Sequence, residues 1–456
     1  MLLVTVIILV IFTLLSFVIF DRDIFAPPTV VSLGLLFSSL CAFYNEKKWA
    51  LDYSANTTRV ISFGVASFIF GGIIAVFLTK FFHVRNAGRS YRTYNVTPIH
   101  VEYSKTIIII LFQVLTSVML YMELRRITGV SSYLEMVAAY RLLTGRLQDL
   151  GNTSIRLPWL LRQFLEVNFA IGLLYIYIVG NNIAAKFKSM KINWIPIILC
   201  CLITFMQGYR SDMLRLWVAL LVTTYTLKKR SVGWRSSKET KKMIRIMAFS
   251  LVGIAFLFVA LRSTVGRAET DWDPIFYLTH YAGSPVAALD LFLKDPCKPS
   301  TIWGKESFYN LNQIIGKWFN KPELRYIFYK EFRQAPSGLI IGNVYTALRP
   351  PYYDFGGIGG LTVYMIIFGL FFTYLYFRTH DKFGKSEVDF RLLLYAYLAY
   401  TFFLYFYNLY NNFISLGFAK FIVELLVVRW YLVGWHFKRR ISLRLWNKKK
   451  IHFGIK

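Results

Sequence analysis

Polar residues fall in short clusters that divide this chain into eleven long apolar runs. They lie at about residues 2–20, 27–44, 60–80, 106–122, 157–179, 194–208, 212–227, 244–261, 358–377, 391–409 and 413–435. A helix of about 20 apolar residues crosses a bilayer, so the pattern predicts about eleven transmembrane helices, ten to twelve at the limits. Gly208 to Asp212 interrupts the pair between 194 and 227, where one long tilted helix is the alternative to two short ones. Two segments, 123–156 and 262–356, are too polar to span. The larger is no plain linker, because aromatic and aliphatic residues recur in it at helical spacing. FYNLNQIIGKWF and YIFYKEFRQ read as short amphipathic helices, separated by breaks at Asp273-Pro274, Asp295-Pro296, Lys321-Pro322 and Ala335-Pro336. The expected fold class is an all-α polytopic membrane protein, a single integral domain over 1–456.

Composition agrees, with 56% hydrophobic and 18% aromatic residues and a mean hydropathy of +0.47, beyond what a soluble core needs. Lys and Arg number 53 against 24 acids, a net charge of +29. In a soluble chain that excess points to nucleic acid; here it falls in short loops between apolar runs, where it sets topology, and no nucleic-acid partner is expected. Basic clusters at 85–92, 186–191, 228–242 and 382–385, with the tail 436–456, all land on one face if that face is cytoplasmic. Segments 123–156 and 262–356 are then outside. The first run has neither a basic lead nor a cleavage site and reads as a retained span. Cys41, Cys200, Cys201 and Cys297 show no zinc or redox spacing. No metal site or Gly-rich nucleotide loop is evident.

Ionisable groups at outer helix ends need water, partners or substrate. GYRSDML places Arg210 and Asp212 where two spans meet. LRSTVGR places Arg262 and Arg267 where a span leaves the membrane. ALRPPYYDFGG places Arg349, Tyr352, Tyr353 and Asp354 where the next one enters. Topology brings all three clusters to one face, and arginine forks suit a pyrophosphate. The same residues also fit a structural arrangement, with Arg210 paired to Asp212 and Arg349 bracing its turn through Asp354. Pro350 and Pro351 are expected to hold Arg349 extended, with the glycines from Gly356 onward permitting close backbone approach. Tyr345 and Tyr281 join the candidate substrate contacts. His280, Glu269, Asp271 and Asp354 are candidates for proton transfer, His280 for its pKa and Asp354 for its neighbours.

The stretches DRDIFAPPTVVSLG, GYRSDMLRLW, LRSTVGR with FYLTHYAGSPVAAL, and above all GNVYTALRPPYYDFGGIGGLTVYMIIFGLFFTYLY resemble the Wzy-type polymerases of bacterial oligosaccharide repeat units. That resemblance implies a GT-C-type glycosyltransferase of the inner membrane with a periplasmic site. It would move a glycan from undecaprenyl pyrophosphate en bloc to the non-reducing end of another lipid-linked repeat, with inversion and without cofactor, metal or nucleotide sugar. Arg210, Arg262, Arg267 and Arg349 would serve the leaving diphosphate, and a Wzz-type chain-length regulator is a candidate partner. Asp271-Trp272-Asp273 has DxD spacing but reads as a turn before Pro274. An O-antigen ligase, another GT-C enzyme, and a flippase of lipid-linked oligosaccharides are the alternatives.

Overall fold

The computed structural model describes residues 1–84, 96–149, 157–187, 191–208, 210–234, 237–260, 272–382, 387–411 and 413–434. The chain is a helical membrane protein. Its first helices are α1 (Leu2–Ile19), α2 (Pro27–Trp49), α3 (Ala55–Val84) and α4 (Tyr103–Thr128), followed by α5 (Tyr133–Asp149), α6 (Trp159–Ala184), α7 (Ile195–Met206), α8 (Arg210–Val232) and α9 (Ser237–Ala260). After these come α10 (Pro274–Lys294), α11 (Tyr309–Trp318), strands β1 (Arg333–Gln334) and β2 (Ile340–Gly342), then α12 (Arg349–Asp354), α13 (Ile358–Arg378), α14 (Phe390–Phe403) and α15 (Leu416–Val433). Each of the eleven apolar runs carries a helix. Among the described residues six are long and apolar enough to cross a membrane: α1, α2, α3, α4, α6 and α13.

The run from 194 to 227 forms two helices, because Gly208 sits at φ +74°, a left-handed turn that glycine adopts at little cost. The run from 391 stops early, at Phe403. Beyond it the Tyr405 carbonyl accepts from Ala347 N at 2.8 Å, and the Asn408 side chain accepts from Leu409 N.

Residues 326–334 are not helical. Tyr326, Phe328, Lys330 and Arg333 turn inward while Ile327, Tyr329 and Phe332 are exposed, the two-residue alternation of an extended chain. Aromatic residues suit that backbone as well as an amphipathic helix, which is why the sequence misleads. The segment runs into the antiparallel pair β1–β2, the one departure from helix and loop among the described residues.

The helix ends form two groups. At one, Asp23 accepts from Tyr225 at 2.6 Å and Tyr376 at 2.5 Å. Arg230 there donates to the Thr379 carbonyl and to Asp389 at 2.8 Å, and Trp234 stacks on His380. At the other, α10 crosses the C-terminal half of α2, where Ser38 donates to the Ala282 carbonyl at 2.6 Å, and reaches the start of α3. There Asp290 accepts from Ser54 N and Thr57 Oγ1. The Ser337 amide in the hairpin turn donates to Trp49 O. The segment from 272 to 357 is thus assembled on the end where α2 runs out and α3 begins.

Helices α3 and α13 meet backbone to backbone. A Cβ on Gly71 would strike the carbonyl of Ile366, and one on Gly369 the carbonyl of Phe68, the small-residue contact that lets apolar helices pack in lipid. Gly369→Ala must push the pair apart. The expected loss is about 1–3 kcal/mol, the usual range for overpacking, read as a lower unfolding temperature of the detergent-purified protein. Gly359→Ala, with nothing within 4 Å of the added methyl, is the matched control.

Candidate functional site

Arg349 opens α12, with Pro350 and Pro351 beside it in the first turn. Prolines are tolerated there, because those amides have no partner in the helix, so Arg349 is helical rather than extended as the sequence led us to expect. Gly356 at φ +79° and Gly357 at φ +80° then swing the chain into α13. The guanidinium lies 3.9 Å from the Tyr345 ring centroid and 4.6 Å from that of Phe292 on α10. Flat, weakly hydrated guanidinium groups pack well on aromatic faces, and Arg349 is 1% exposed.

Its polar edge carries two carboxylates. Arg349 Nη2 donates to Glu306 Oε1 at 3.0 Å and to Glu331 Oε2 at 2.7 Å. Glu331 is shared: Arg333 donates to it at 3.0 Å and the Tyr345 hydroxyl at 3.1 Å. Arg333 also ties the hairpin to Asp295, at 3.0 Å. Lys330 donates to Asn408 at 2.8 Å, joining this centre to the turn after α14. Two arginines, Arg349 and Arg333, thus pair with three carboxylates, Glu306, Glu331 and Asp295, with Lys330 beside them.

The balance is incomplete at the atomic level. Among the described residues, Nε and Nη1 of Arg349 have no hydrogen-bond partner, and neither does Glu306 Oε2, although all are buried. Buried charged donors without acceptors are costly. Nε and Nη1 together offer three N–H bonds, enough for a ligand oxygen or two.

The two glutamates have different environments. Burial works against the charge of Glu331, but Arg349 beside it holds its carboxyl down at about 2. Glu306, with a side chain 2% exposed, is pushed up by burial, only partly countered by Arg349. Burial also drives Lys330 down to about 8.

Asp354 does not pair with Arg349. Its carboxylate accepts from Glu306 N at 3.0 Å and Ser307 N at 2.6 Å, fixing the loop that presents Glu306, and burial raises its pKa despite those bonds. Tyr353 donates to the Lys298 carbonyl at 2.7 Å, and Tyr352 and Tyr353 both set their rings against Phe292. The Tyr353 hydroxyl lies close enough to feel the charges of Arg349 and Glu306, but the tyrosine ring that packs on the guanidinium is that of Tyr345.

His280 is elsewhere. It accepts from Trp49 Nε1 at 3.2 Å and sits among Trp49, Trp272 and Phe276, with Tyr281 beside it, packed on Tyr277. From Phe292 it is twelve residues along α10, about 18 Å of helix. The structure does not bring His280 or Tyr281 to Arg349. Asp273 caps α10 by accepting from Ile275 N and Phe276 N, as a turn before Pro274 requires. Arg262, Arg267, Glu269 and Asp271 lie outside the described residues, as does the side chain of Arg210.

A second cationic centre lies at the start of α8, and the sequence reading had passed over it. Asp212 pairs with Arg215 at 3.3 Å. Arg215 lies over Tyr397 and Tyr400, 5.1 and 4.8 Å from their ring centroids, and Tyr400 packs against Tyr410. The stretch 400–411 therefore touches both centres, through Tyr400 and Tyr410 on one side and Asn408 on the other. Gly208, just before α8, lies against the Arg141 side chain of α5. Glu306, Lys330, Glu331 and Arg333 were also missed. Lys330, Glu331 and Arg333 lie within YIFYKEFRQ, whose amphipathic reading gave its charges no role, and Glu306 and Arg215, the latter three residues after Asp212, carried no local mark. No protein-family model, curated protein or solved structure matches the chain.

Proposed function

We propose that this chain polymerises lipid-linked oligosaccharide repeat units, as a GT-C-type glycosyltransferase of a bacterial inner membrane with about eleven spans, a cytoplasmic C-terminus and the Arg349 centre on the periplasmic side. The donor is a glycan on undecaprenyl pyrophosphate and the acceptor is the non-reducing sugar of a second such unit. One observation carries the reading beyond the resemblance to Wzy-type polymerases. A buried guanidinium with open N–H donors stands beside a buried carboxylate with an open oxygen, a pairing that suits a ligand with both anionic oxygens and hydroxyls.

As the sugar–phosphate bond breaks, the leaving diphosphate gains negative charge. Arginine donors preplaced near it stabilise the transition state more than the ground state. The stacking of Arg349 between Tyr345 and Phe292 fixes the direction of those donors before substrate arrives. Arg215, set on a tyrosine surface near the same stretch 400–411, is a second candidate for the diphosphate or the glycan.

The test is a cell lacking the protein. A polymerase deletion leaves lipid capped by a single repeat; a ligase deletion leaves bare core, and a flippase deletion strands repeats on the cytoplasmic side. Long glycan ladders in the deletion strain would end the proposal.

A further inference from the structure

Resting on that reading, we infer that Glu306 is the group that accepts the proton of the acceptor hydroxyl, while Glu331 is the fixed counter-ion that holds Arg349. The two glutamates share one nitrogen, Arg349 Nη2, yet their remaining bonds divide them. Glu331 is committed on both oxygens, to Arg349 on one and to Arg333 and Tyr345 on the other. Glu306 is held on Oε1 alone. Its Oε2 is buried with no partner among the described residues, and its backbone is fixed by Asp354 through the Glu306 and Ser307 amides. A positioned carboxylate with one free oxygen, beside a cation, has the form of a general base.

In the step itself, the acceptor oxygen forms a bond to the anomeric carbon while the bond from that carbon to the phosphate oxygen breaks. The electron pair leaves with the lipid diphosphate, and the hydroxyl proton passes to Glu306 Oε2. No oxidant or metal is needed for the balance. The open donors of Arg349 lie on the same guanidinium that orients Oε1, so the departing diphosphate and the base are held by one group.

The charged and titratable groups around Glu306 are Arg349, Lys330, Asp354 and Glu331, with Tyr326 and Tyr353 at the margin. Burial raises the Glu306 pKa while Arg349 keeps that of Glu331 down, the separation that assigns different roles to neighbouring carboxylates. The extended stretch from Tyr326 lies against the Glu306 loop, with Tyr326 donating to the Lys305 carbonyl at 2.7 Å.

The experiment uses the full chain reconstituted in vesicles with synthetic lipid-linked repeat units. Glu306→Gln is expected to lower kcat by about a hundredfold or more, with KM little changed, and to remove the acid limb of the pH–rate profile. Glu331→Gln is expected to act on KM and thermal stability and to leave that limb in place. Glu306→Asp, which keeps the charge should the glutamine variant fold poorly, is expected to retain activity with the acid limb displaced. An unmoved limb in Glu306→Asp, or a near-normal kcat in Glu306→Gln, overturns the assignment while leaving the polymerase reading intact. Failure of the wild-type chain to extend any lipid-linked repeat overturns that reading, and the assignment falls with it.

Discussion

Arg349→Ala is expected to leave only single-repeat lipid and also to destabilise the protein, by about 3–5 kcal/mol, the range for stripping one partner from a buried ion pair. The stability effect follows because Glu306 and Glu331 lose a shared partner, Glu306 with a side chain 2% exposed, and Phe292 and Tyr345 lose the group packed between them. Loss of polymer alone therefore does not separate chemistry from folding. Arg349→Lys separates them: the ammonium keeps the charge, so much of the stability should return. It cannot, however, reproduce the flat fork or its stacking, and turnover should remain at least about a hundredfold down, the scale for removing a preplaced donor. The checks are the unfolding temperature in detergent and the glycan ladder of the complemented strain. A lysine variant with normal ladders would show that the guanidinium geometry is dispensable.

The other large effect is expected at the opposite end of the bundle. Arg230 and Asp389 are 2% and 0% exposed and bonded at 2.8 Å. Arg230 also donates to the Thr379 carbonyl at the end of α13, while Asp389 caps α14 through the Arg391 and Leu392 amides. Removing either charge strands the other, again at about 3–5 kcal/mol, with the lost cap adding about 1 kcal/mol to Asp389→Ala. Asp389→Ala should then be the worse of the two single variants. In the double variant with Arg230→Leu the loss should be smaller than the sum, since no buried charge is left alone. Unfolding temperatures of the four proteins give the cycle; simple additivity would show that the two groups do not act as a pair.

The helices were legible because each span must satisfy its backbone internally, which leaves a long apolar run as a plain mark. All eleven runs became helices, and the break at Gly208 followed from the residue that makes left-handed turns easily. Segment 272–357 was read less well. Its aromatic residues suit helix and strand alike, so YIFYKEFRQ was assigned the wrong period. At the site, Arg349 was visible because it is a charge next to an apolar helix, but its partners were not. Glu306 is 43 positions earlier in the chain and Glu331 18, and nothing local marks carboxylates at such distances as a pair. Asp354 was credited to Arg349 by nearness in sequence, whereas it serves the Glu306 loop. Arg262, Arg267 and the Arg210 side chain lie outside the described residues, so the gathering of arginines from three helix ends rests on Arg349, with Arg215 entering from the start of α8.

In the stretch from Tyr326 to Arg333 the alternation slips once. Lys330 and Glu331 follow one another on the inner side, whereas every other neighbouring pair changes sides. A faultless zigzag would direct either the ammonium or the carboxylate toward Arg349 and send the other to the surface. That stutter admits both, which makes the spacing of these residues as consequential as their identity: deleting one residue there would eject a charge from the centre without altering a single side chain that remains.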